Sequence, residues 1–285
     1  MRHHFFSSRL VTGVAILAMS MWGCTDAMAE NVSPMPVPAN MKWVRIAGGT
    51  FSMGSNEWAD EQPIHRVMVP DFEMNQSEIT VAQFRECVSA GACTEPDEGG
   101  EYENWHQPGF ENHPVNAVDF FQARSFCNWI GGDLPSESIW EYAARSGGKA
   151  QTYPWGNDIA DCEKAIMDNA VQVDGCGTKR TWPVCSRPTG NTRQGLCDMA
   201  GNVWEWVLDS YHGSYDCNHR PSAYNCSPGS SAPTDGSPWE ESGELIVERG
   251  GSFNSHSFYL RTSARLRVSP TKRSFGLGFR CVRPL

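Results

Sequence analysis

Apolar residues recur at helical spacing in three short stretches, and each stretch follows a polar residue that can cap a helix. The first predicted helix begins after Thr80, which forms a capping-box pattern with Gln83. The second begins after Asp119 and ends at Gly131, and the third begins after Ser136. All three are short, so the pattern does not indicate a helical bundle.

Elsewhere the pattern predicts strands separated by long irregular segments. Residues 43–55 alternate and carry Gly48-Gly49, which indicates a strand that enters a hairpin, and residues 61–69 predict a turn followed by a strand. No internal repeat or low-complexity linker divides the chain, so one domain is expected. The segments that predict loops are 94–112, 153–193 and 210–244.

Composition excludes several classes of partner. The chain has 285 residues and a net charge of -10, with no long basic run, which argues against binding to nucleic acid or to an anionic membrane surface. Its 27 glycines and 11 tryptophans are typical of a turn-rich fold. At 40% hydrophobic residues, the chain can still bury one sizeable core.

Residues 1–29 predict a signal peptide. Arg2 and Arg9 precede a short apolar run from Leu10 to Met21. This run is too short to span a membrane comfortably. Residues 30–42, with prolines at alternate positions, then predict an extended lead-in to a domain at 43–285.

Two processing sites compete in this leader. Ala27-Met28-Ala29 suits signal peptidase and would leave Glu30 first, giving a soluble protein of the bacterial periplasm, which we favour. Alternatively, Gly23-Cys24 resembles a lipoprotein signal that ends before Cys24, and a lipid anchor there would be the expected membrane contact.

Cysteine usage agrees with export. Eleven cysteines are present, and either processing route leaves ten for pairing. In an oxidising compartment this even number predicts up to five disulfides, and no pair has the C-x2-C spacing of a zinc or redox motif. Buried free thiols are the alternative and would suit a cytosolic protein.

The stretch from Gly195 to Val207 combines two glycines, two tryptophans and two carboxylates. Asp198 and Glu205 could surround a hard cation together with intervening carbonyl oxygens, and such ligands suit calcium. The alternative is a tight turn at Gly201 with solvated acids and core tryptophans.

The whole chain from about residue 43 to 283 resembles the formylglycine-generating enzyme (sulfatase-modifying factor) family. The resemblance implies an α+β, C-type-lectin-like fold that has little regular secondary structure and is stabilised by disulfides. The motifs that carry it stand in family order: residues 46–55, 77–84, 113–115, 132–137, 140–145, 153–157, 195–206, 249–253, 262–265 and 278–281.

The two cysteines that hold the catalytic copper in family enzymes are replaced by other residue types in this chain. Family enzymes hold copper with two cysteines after the Gly-Gly-Ser motif, and Ser255 and Leu260 fall near those positions. A hydroxyl and an alkyl chain cannot replace thiolates for Cu(I), so we expect no copper and no formylglycine generation. A nucleophile and base formed by Ser252, Ser255 and His256 is the alternative chemistry, although adjacency in sequence does not supply the geometry.

The resemblance implies structural calcium and one long-range disulfide. Bridged family positions correspond to Cys127 and Cys281. The implied calcium ligands are Asp198, the carbonyls of Gly201 and Val203, and Glu205 at one site, and Asn169, the Ala170 carbonyl, Asp174 and the Cys176 carbonyl at a second site. The other eight cysteines are expected to pair locally as Cys87–Cys93, Cys162–Cys176, Cys185–Cys197 and Cys217–Cys226.

Two function classes are compatible with these features. The first is a copper-free oxidative maturation enzyme that acts on a peptide-like partner, as do exported family members that finish the chromophore of the siderophore pyoverdine. The second is a non-catalytic protein-binding module, such as an immunity or assembly factor. In both, the protein is expected to be a monomer with a protein or peptide-like partner.

Overall fold

Three α-helices lie in the part of the chain that the structure, a computed structural model, describes: residues 37–96, 100–169, 174–240 and 244–285. They are α1 (Val81–Ser89), α2 (Phe120–Trp129) and α3 (Glu137–Ala144). Thr80 Oγ1 accepts a hydrogen bond from the Gln83 N–H at 3.2 Å, and the Gln83 side chain accepts one from the Thr80 N–H at 3.0 Å. The helix starts predicted from capping residues are therefore confirmed.

Three sheets form among the described residues, with strand orders β1-β4-β9, β2-β3 and β7-β6-β5-β8. Their pairings are antiparallel except that between β5 and β8, which is parallel. The strands are β1 (Trp43–Ile46), β2 (Gly49–Met53), β3 (His65–Val69), β4 (Phe72–Asn75), β5 (Trp204–Ser210), β6 (Ile246–Arg249), β7 (Arg265–Val268), β8 (Leu277–Gly278) and β9 (Val282–Pro284).

The hairpin expected at residues 43–55 does not form. β1 pairs with β4 and β2 pairs with β3, so the two strands enter different sheets. A Cβ atom on Gly48 would lie 2.2 Å from the Val69 carbonyl oxygen, which shows how closely the two backbones approach. The glycine pair therefore allows a crossing between sheets and does not turn a hairpin.

The faces of the four-stranded sheet contact different parts of the core. On one face, Trp204 and Trp206 of β5 belong to a buried cluster with Phe84 of α1 and Phe126 of α2. On the other face, Val207 of β5 lies in a second buried cluster with residues of α3. Helices α1 and α2 thus share one core with β5, and α3 shares the other.

Five disulfides connect the ten described cysteines, and they are the pairs expected from the sequence. Cys127 of α2 is bonded to Cys281, which directly precedes β9, across a sequence separation of 154 residues. The local pairs are Cys87–Cys93, Cys162–Cys176, Cys185–Cys197 and Cys217–Cys226. These bonds fix segments that contain little helix or strand.

No helix among the residues described is both long enough and apolar enough to cross a membrane. Residues 1–36 lie outside the described residues, and they include the predicted leader at 1–29 with its two processing sites. The described residues belong to one compact unit, Met35–Leu285.

Candidate functional site

Several cavities open on the protein, one of them with a volume of about 310 Å³. A different cavity, of about 200 Å³, lies beside the Gly-Gly-Ser motif formed by residues 250–252. Each strand of the four-stranded sheet contributes one lining residue to it: Trp204 from β5, Glu248 from β6, Val268 from β7 and Leu277 from β8. The remaining polar lining side chains include Ser252, Asn254 and Lys272. This cavity combines an apolar wall with a few polar groups, as small binding sites commonly do.

Ser252 stands in a closed hydrogen-bonded turn at the cavity wall. Its Oγ lies 2.6 Å from Asn254 Oδ1 and 3.1 Å from Ser255 Oγ, and its N–H donates to Ser255 Oγ at 3.1 Å. The preceding Gly251 has a φ of 77°, and a Cβ there would lie 2.7 Å from a methyl carbon of Leu260. The turn therefore depends on glycine both for its backbone angle and for space.

The two positions that correspond to the copper cysteines are both built into the packing. Ser255 is buried with its hydroxyl bonded to Ser252. Leu260 is completely buried in an apolar cluster with Met167 and Ala200. The Cys162–Cys176 disulfide packs against the same cluster, but its sulfurs are bonded to each other. These side chains do not fit Cu(I), which prefers thiolate ligands.

The nucleophile-and-base arrangement is not assembled among the described residues. His256 is 62% exposed and its Nδ1 lies 3.2 Å from a carboxylate oxygen of Asp168. The Ser252 hydroxyl bonds to Ser255 Oγ and to Asn254 Oδ1, and no hydrogen bond joins either serine hydroxyl to the imidazole among the described residues. Proximity in sequence has therefore not produced the hydrogen bond that nucleophile activation needs.

Glu248 is the unexpected member of this site. In the sheet it pairs with Trp206 on β5 and Leu266 on β7, so both neighbours on its face are apolar. Its side chain is half-buried and makes no hydrogen bond or ion pair with any residue that the structure describes. Burial raises the pKa of its carboxyl group to about 7. In the sequence, the available signal was a single acidic residue two positions after the apolar Ile246, which shares its face of the strand.

The predicted first calcium site lies in a buried group of charged side chains. Both carboxylate oxygens of Glu205 accept hydrogen bonds from Arg280, at 2.7–2.9 Å, and one also accepts from Trp140 Nε1 at 2.7 Å. Asp198 Oδ2 accepts a bond from the Cys185 N–H at 2.6 Å. Asp198 and Glu205 are therefore both buried, which excludes the alternative of a turn with solvated acids.

Glu78 is a third carboxyl in this group, and sequence reasoning missed it. It is fully buried and accepts hydrogen bonds from Asn202 Nδ2 at 2.8 Å and the Val203 N–H at 3.1 Å. Its distance in sequence from Asn202, 124 residues, explains why no local pattern found it.

Three carboxyl groups lie together here, with Arg280 bonded to Glu205 and the charge of Arg187 acting on Asp198. Burial, followed by the nearby charges of Asp198 and Glu205, raises the pKa of Glu78 well above its ordinary value. Burial also raises the pKa of Asp198 to about 6, although the Cys185 N–H and Arg280 oppose the shift. A divalent cation would favour the charged forms of these carboxyl groups, so the oxygen donors fit calcium in chemical type.

The geometry sets a limit on that fit. No group of three or more His, Cys, Asp or Glu side chains arranged to hold a metal occurs among the described residues. The expected site instead uses two side chains and the carbonyls of Gly201 and Val203. Gly201 has a φ of 85° and a Cβ there would lie 2.3 Å from the Ile166 carbonyl oxygen, so the backbone at this point is tightly held.

The predicted second calcium site is only partly visible. Asn169 and Asp174 stand on either side of residues 170–173, and Ala170 lies outside the described residues. Asp174 and Cys176 belong to a short 3-10 segment, Asp174–Gly177, in which Cys176 has a φ of 54°. This second site stays a prediction.

Comparisons with known proteins agree with the motifs. The Sulfatase-modifying factor enzyme 1-like domain matches residues 28–285. The formylglycine-generating enzyme of Mycobacterium tuberculosis is 32% identical over 301 residues, which cover 84% of this chain and 96% of that enzyme. Serine/threonine-protein kinase Pkn1 of Chlamydia trachomatis serovar L2 is 33% identical over 268 residues, covering 89% of this chain. The chain spans 40% of that kinase's length.

A solved structure gives the same assignment at the level of fold. PvdO from Pseudomonas aeruginosa is 26% identical and superposes with a TM-score of 0.69, covering 88% of this chain and 100% of PvdO. The architecture is therefore the α+β fold of formylglycine-generating enzymes, with short helices, small sheets and five disulfides. On the extent of the domain match and the identity to its enzymes, the chain belongs to the sulfatase-modifying factor (formylglycine-generating enzyme) family.

Proposed function

We propose that this protein is an exported, copper-free member of its family that binds or acts on a peptide-like partner at the cavity beside Ser252. The observation that carries the proposal is the contrast between the cavity and the two positions that correspond to the family's copper cysteines. All four strands of the sheet still line the cavity, whereas Ser255 and Leu260 are closed into packing that offers no thiolate. A cavity beside positions that cannot hold copper supports recognition of a partner without the family's metal chemistry.

Export to the bacterial periplasm is supported by the five disulfides, because such bonds persist in oxidising compartments. The leader at residues 1–29 agrees with this location. We propose that the mature protein is a soluble monomer, with lipid attachment through Cys24 as the other route.

Calcium is the proposed structural cofactor, and copper is not expected. The support for calcium is the burial together of three carboxyl groups, those of Glu78, Asp198 and Glu205, which bring several oxygen donors close to one another. When bound, calcium would supply positive charge there, and Asp198 and Glu205 would hold it together with backbone carbonyls. Its role would be to stabilise the fold.

The proposed action on the partner is an oxidative maturation step, and the alternative is binding without chemistry. Glu248 supports an active role, because a carboxyl with a pKa near 7 can both take up and release a proton at neutral pH. Loss of the copper ligands supports the alternative. Oxygen consumption separates the two, since only an oxidative enzyme would consume oxygen with its partner.

Peptide selection tests the proposal directly. Purified protein would be used to select from a phage-displayed library of random peptides, in parallel with Ser274→Trp, which fills the cavity. Ser269→Trp is the matched control, because Ser269 is exposed on the same segment and does not line the cavity. We expect the wild type and the control to enrich the same peptides and the filled variant to lose them. Equal enrichment by all three proteins would contradict the proposal.

An oxygen electrode then tests the reaction. The enriched peptides would be added to the wild-type protein in air-saturated buffer, and dissolved oxygen would be followed. Oxygen uptake that is absent from Ser274→Trp supports the maturation enzyme, and binding without uptake supports the protein-binding module.

A further inference from the structure

Glu248 is an acidic residue on a sheet face whose adjacent positions are apolar. It lies on the face of β6 that also carries Ile246, between Trp206 and Leu266 of the neighbouring strands. Its carboxyl group has no hydrogen-bond or ion-pair partner in the described part of the chain. A charged carboxylate that is half-buried on such a face is stabilised by pairing, so a cationic group that entered the cavity would find a counter-ion there.

Two aromatic side chains line the same cavity as Glu248. Trp204 lines the cavity and is itself packed against Tyr259, with ring centroids 6.1 Å apart. Phe275 lines the cavity as well and is 38% exposed, and its ring lies 5.5 Å from that of Tyr102. Aromatic faces attract cations through their quadrupole, and the attraction grows when water is excluded.

Lys272 is the other titratable side chain that lines the cavity. It is exposed and forms no ion pair with Glu248 in the structure. The neighbours of Glu248 on β5 and β7 are apolar, so no other charged group faces its carboxyl from those strands. Glu248 and Lys272 are therefore the two titratable side chains that line this cavity, and they are not paired with each other.

We propose that this cavity takes a cationic side chain, that of lysine or arginine, from the peptide-like partner, with Glu248 as its counter-ion and Trp204 and Phe275 as aromatic walls. The inference rests on the proposed function, because it assumes that a peptide enters the cavity. It names what the site selects: an ammonium or guanidinium group pairs with the carboxylate, whereas a neutral side chain leaves it unpaired.

This pairing makes binding depend on pH. Below about pH 7 the Glu248 carboxyl is protonated and neutral, and above it the group is charged and can pair with a cation. Cationic peptides are therefore expected to bind more tightly at pH 8 than at pH 6, by up to about tenfold.

The peptide library tests selectivity. Wild-type protein is expected to enrich peptides with a lysine or arginine at one fixed position, and Glu248→Gln is expected to lose that preference. Glu244→Gln is the matched control, since Glu244 is exposed and lies just before β6. Enriched peptides without a basic residue would overturn this inference and leave the proposed function standing. No enrichment by the wild type would overturn both.

A second measurement needs no peptide, and its one variant serves only to assign a signal. Protein with a 13C label at the glutamate carboxyl carbon would be titrated by NMR, and the Glu248 signal identified by its absence from Glu248→Gln. The midpoint is expected near pH 7 and should fall by about one unit, a tenfold change in proton affinity, when n-butylammonium is added. n-Butanol, which is neutral and of similar size, should leave it unchanged. A midpoint that n-butylammonium does not move would overturn the proposal.

Discussion

Arg280 binds Glu205 with both its Nε and one terminal nitrogen, at distances of 2.7–2.9 Å, and neither side chain is accessible to solvent by more than 1%. The pair joins the segment before β9 to β5 across 75 residues of sequence. Arg280 also donates to the Cys197 carbonyl at 2.9 Å, so it anchors three separate segments.

Removal of this guanidinium should be strongly destabilising. Arg280→Met leaves the Glu205 carboxyl group buried beside Glu78 and Asp198 without its ion-pair partner, and we expect a loss of about 3 to 5 kcal/mol in the free energy of unfolding. Arg45→Met is the control, because Arg45 pairs with Asp71 at 3.7 Å on the exposed surface and should cost less than about 1 kcal/mol. Urea unfolding measures both, and equal losses would contradict the prediction.

Chelation should lower the melting temperature. If calcium binds the folded state alone, a hundredfold excess over its dissociation constant contributes about 2.7 kcal/mol, which a chelator would remove. Glu205→Ala should lower the melting temperature and abolish most of the response to chelator. Asp198→Asn keeps one ligand oxygen and should weaken the response. Protein shown to be calcium-loaded that melts identically with and without chelator would refute this prediction.

Asp209 should make the wild type less stable as pH rises. Burial, followed by the charge of Glu137, raises its pKa from 3.8 to about 7 in the folded state. The folded state therefore binds this proton more tightly than the unfolded state, and the penalty for losing it develops between about pH 4 and 7. Relative to Asp209→Asn, the wild type should lose about 3 kcal/mol between pH 5 and pH 8.

Urea unfolding of both proteins at the two pH values measures this difference. Asp71→Asn is a matched control, since the Asp71 side chain is 55% exposed and should give no comparable trend. A wild type that gains stability relative to Asp209→Asn as pH rises would show the assigned shift to have the wrong sign.

Restoring the two cysteines should not restore formylglycine generation. In Ser255→Cys/Leu260→Cys, the second thiol would lie in the apolar cluster of Met167 and Ala200, where the surrounding groups are not arranged to hold copper. Aldehyde formation on a sulfatase-type cysteine peptide, measured by mass spectrometry with Cu(I) and oxygen, should be absent from the wild type and this variant. Aldehyde from the wild type would disprove the copper-free assignment.

Loss of the long-range disulfide should cost more than loss of a local one. Cys127→Ala/Cys281→Ala opens a loop of 154 residues and should cost about 4 to 5 kcal/mol in the loop-entropy model. Cys217→Ala/Cys226→Ala opens a loop of 9 residues and should cost roughly 2 to 3 kcal/mol. Thermal unfolding of the two variants ranks them, and the reverse order would contradict the model.

Local sequence patterns located the helices because their determinants are local. Thr80 and Gln83 are three residues apart and satisfy each other's backbone N–H groups, so the start of α1 is encoded within one turn. The placement of β1 and β2 in different sheets, in contrast, is not determined by local sequence. It depends on pairing with β4 and β3 and on the approach of Gly48 to the Val69 carbonyl, which no local pattern contains.

The candidate site shows the same division. The Gly-Gly-Ser motif placed Ser255 and Leu260 by position along the chain, and their burial follows from neighbours distant in sequence. Glu248 is recognisable as unpaired only once Trp206 and Leu266 are known to flank it. Glu78 likewise joins Asp198 and Glu205 only through the fold.

Cys281 and strand β9 are adjacent in sequence but hold different parts of the fold. β9 supplies the third strand of the β1-β4-β9 sheet, and Cys281 supplies the partner of Cys127. The sheet and the long-range crosslink therefore both depend on the same four residues, 281–284. Proteolytic removal of the chain from Cys281 onward would take away a strand and the longest of the five disulfide crosslinks together.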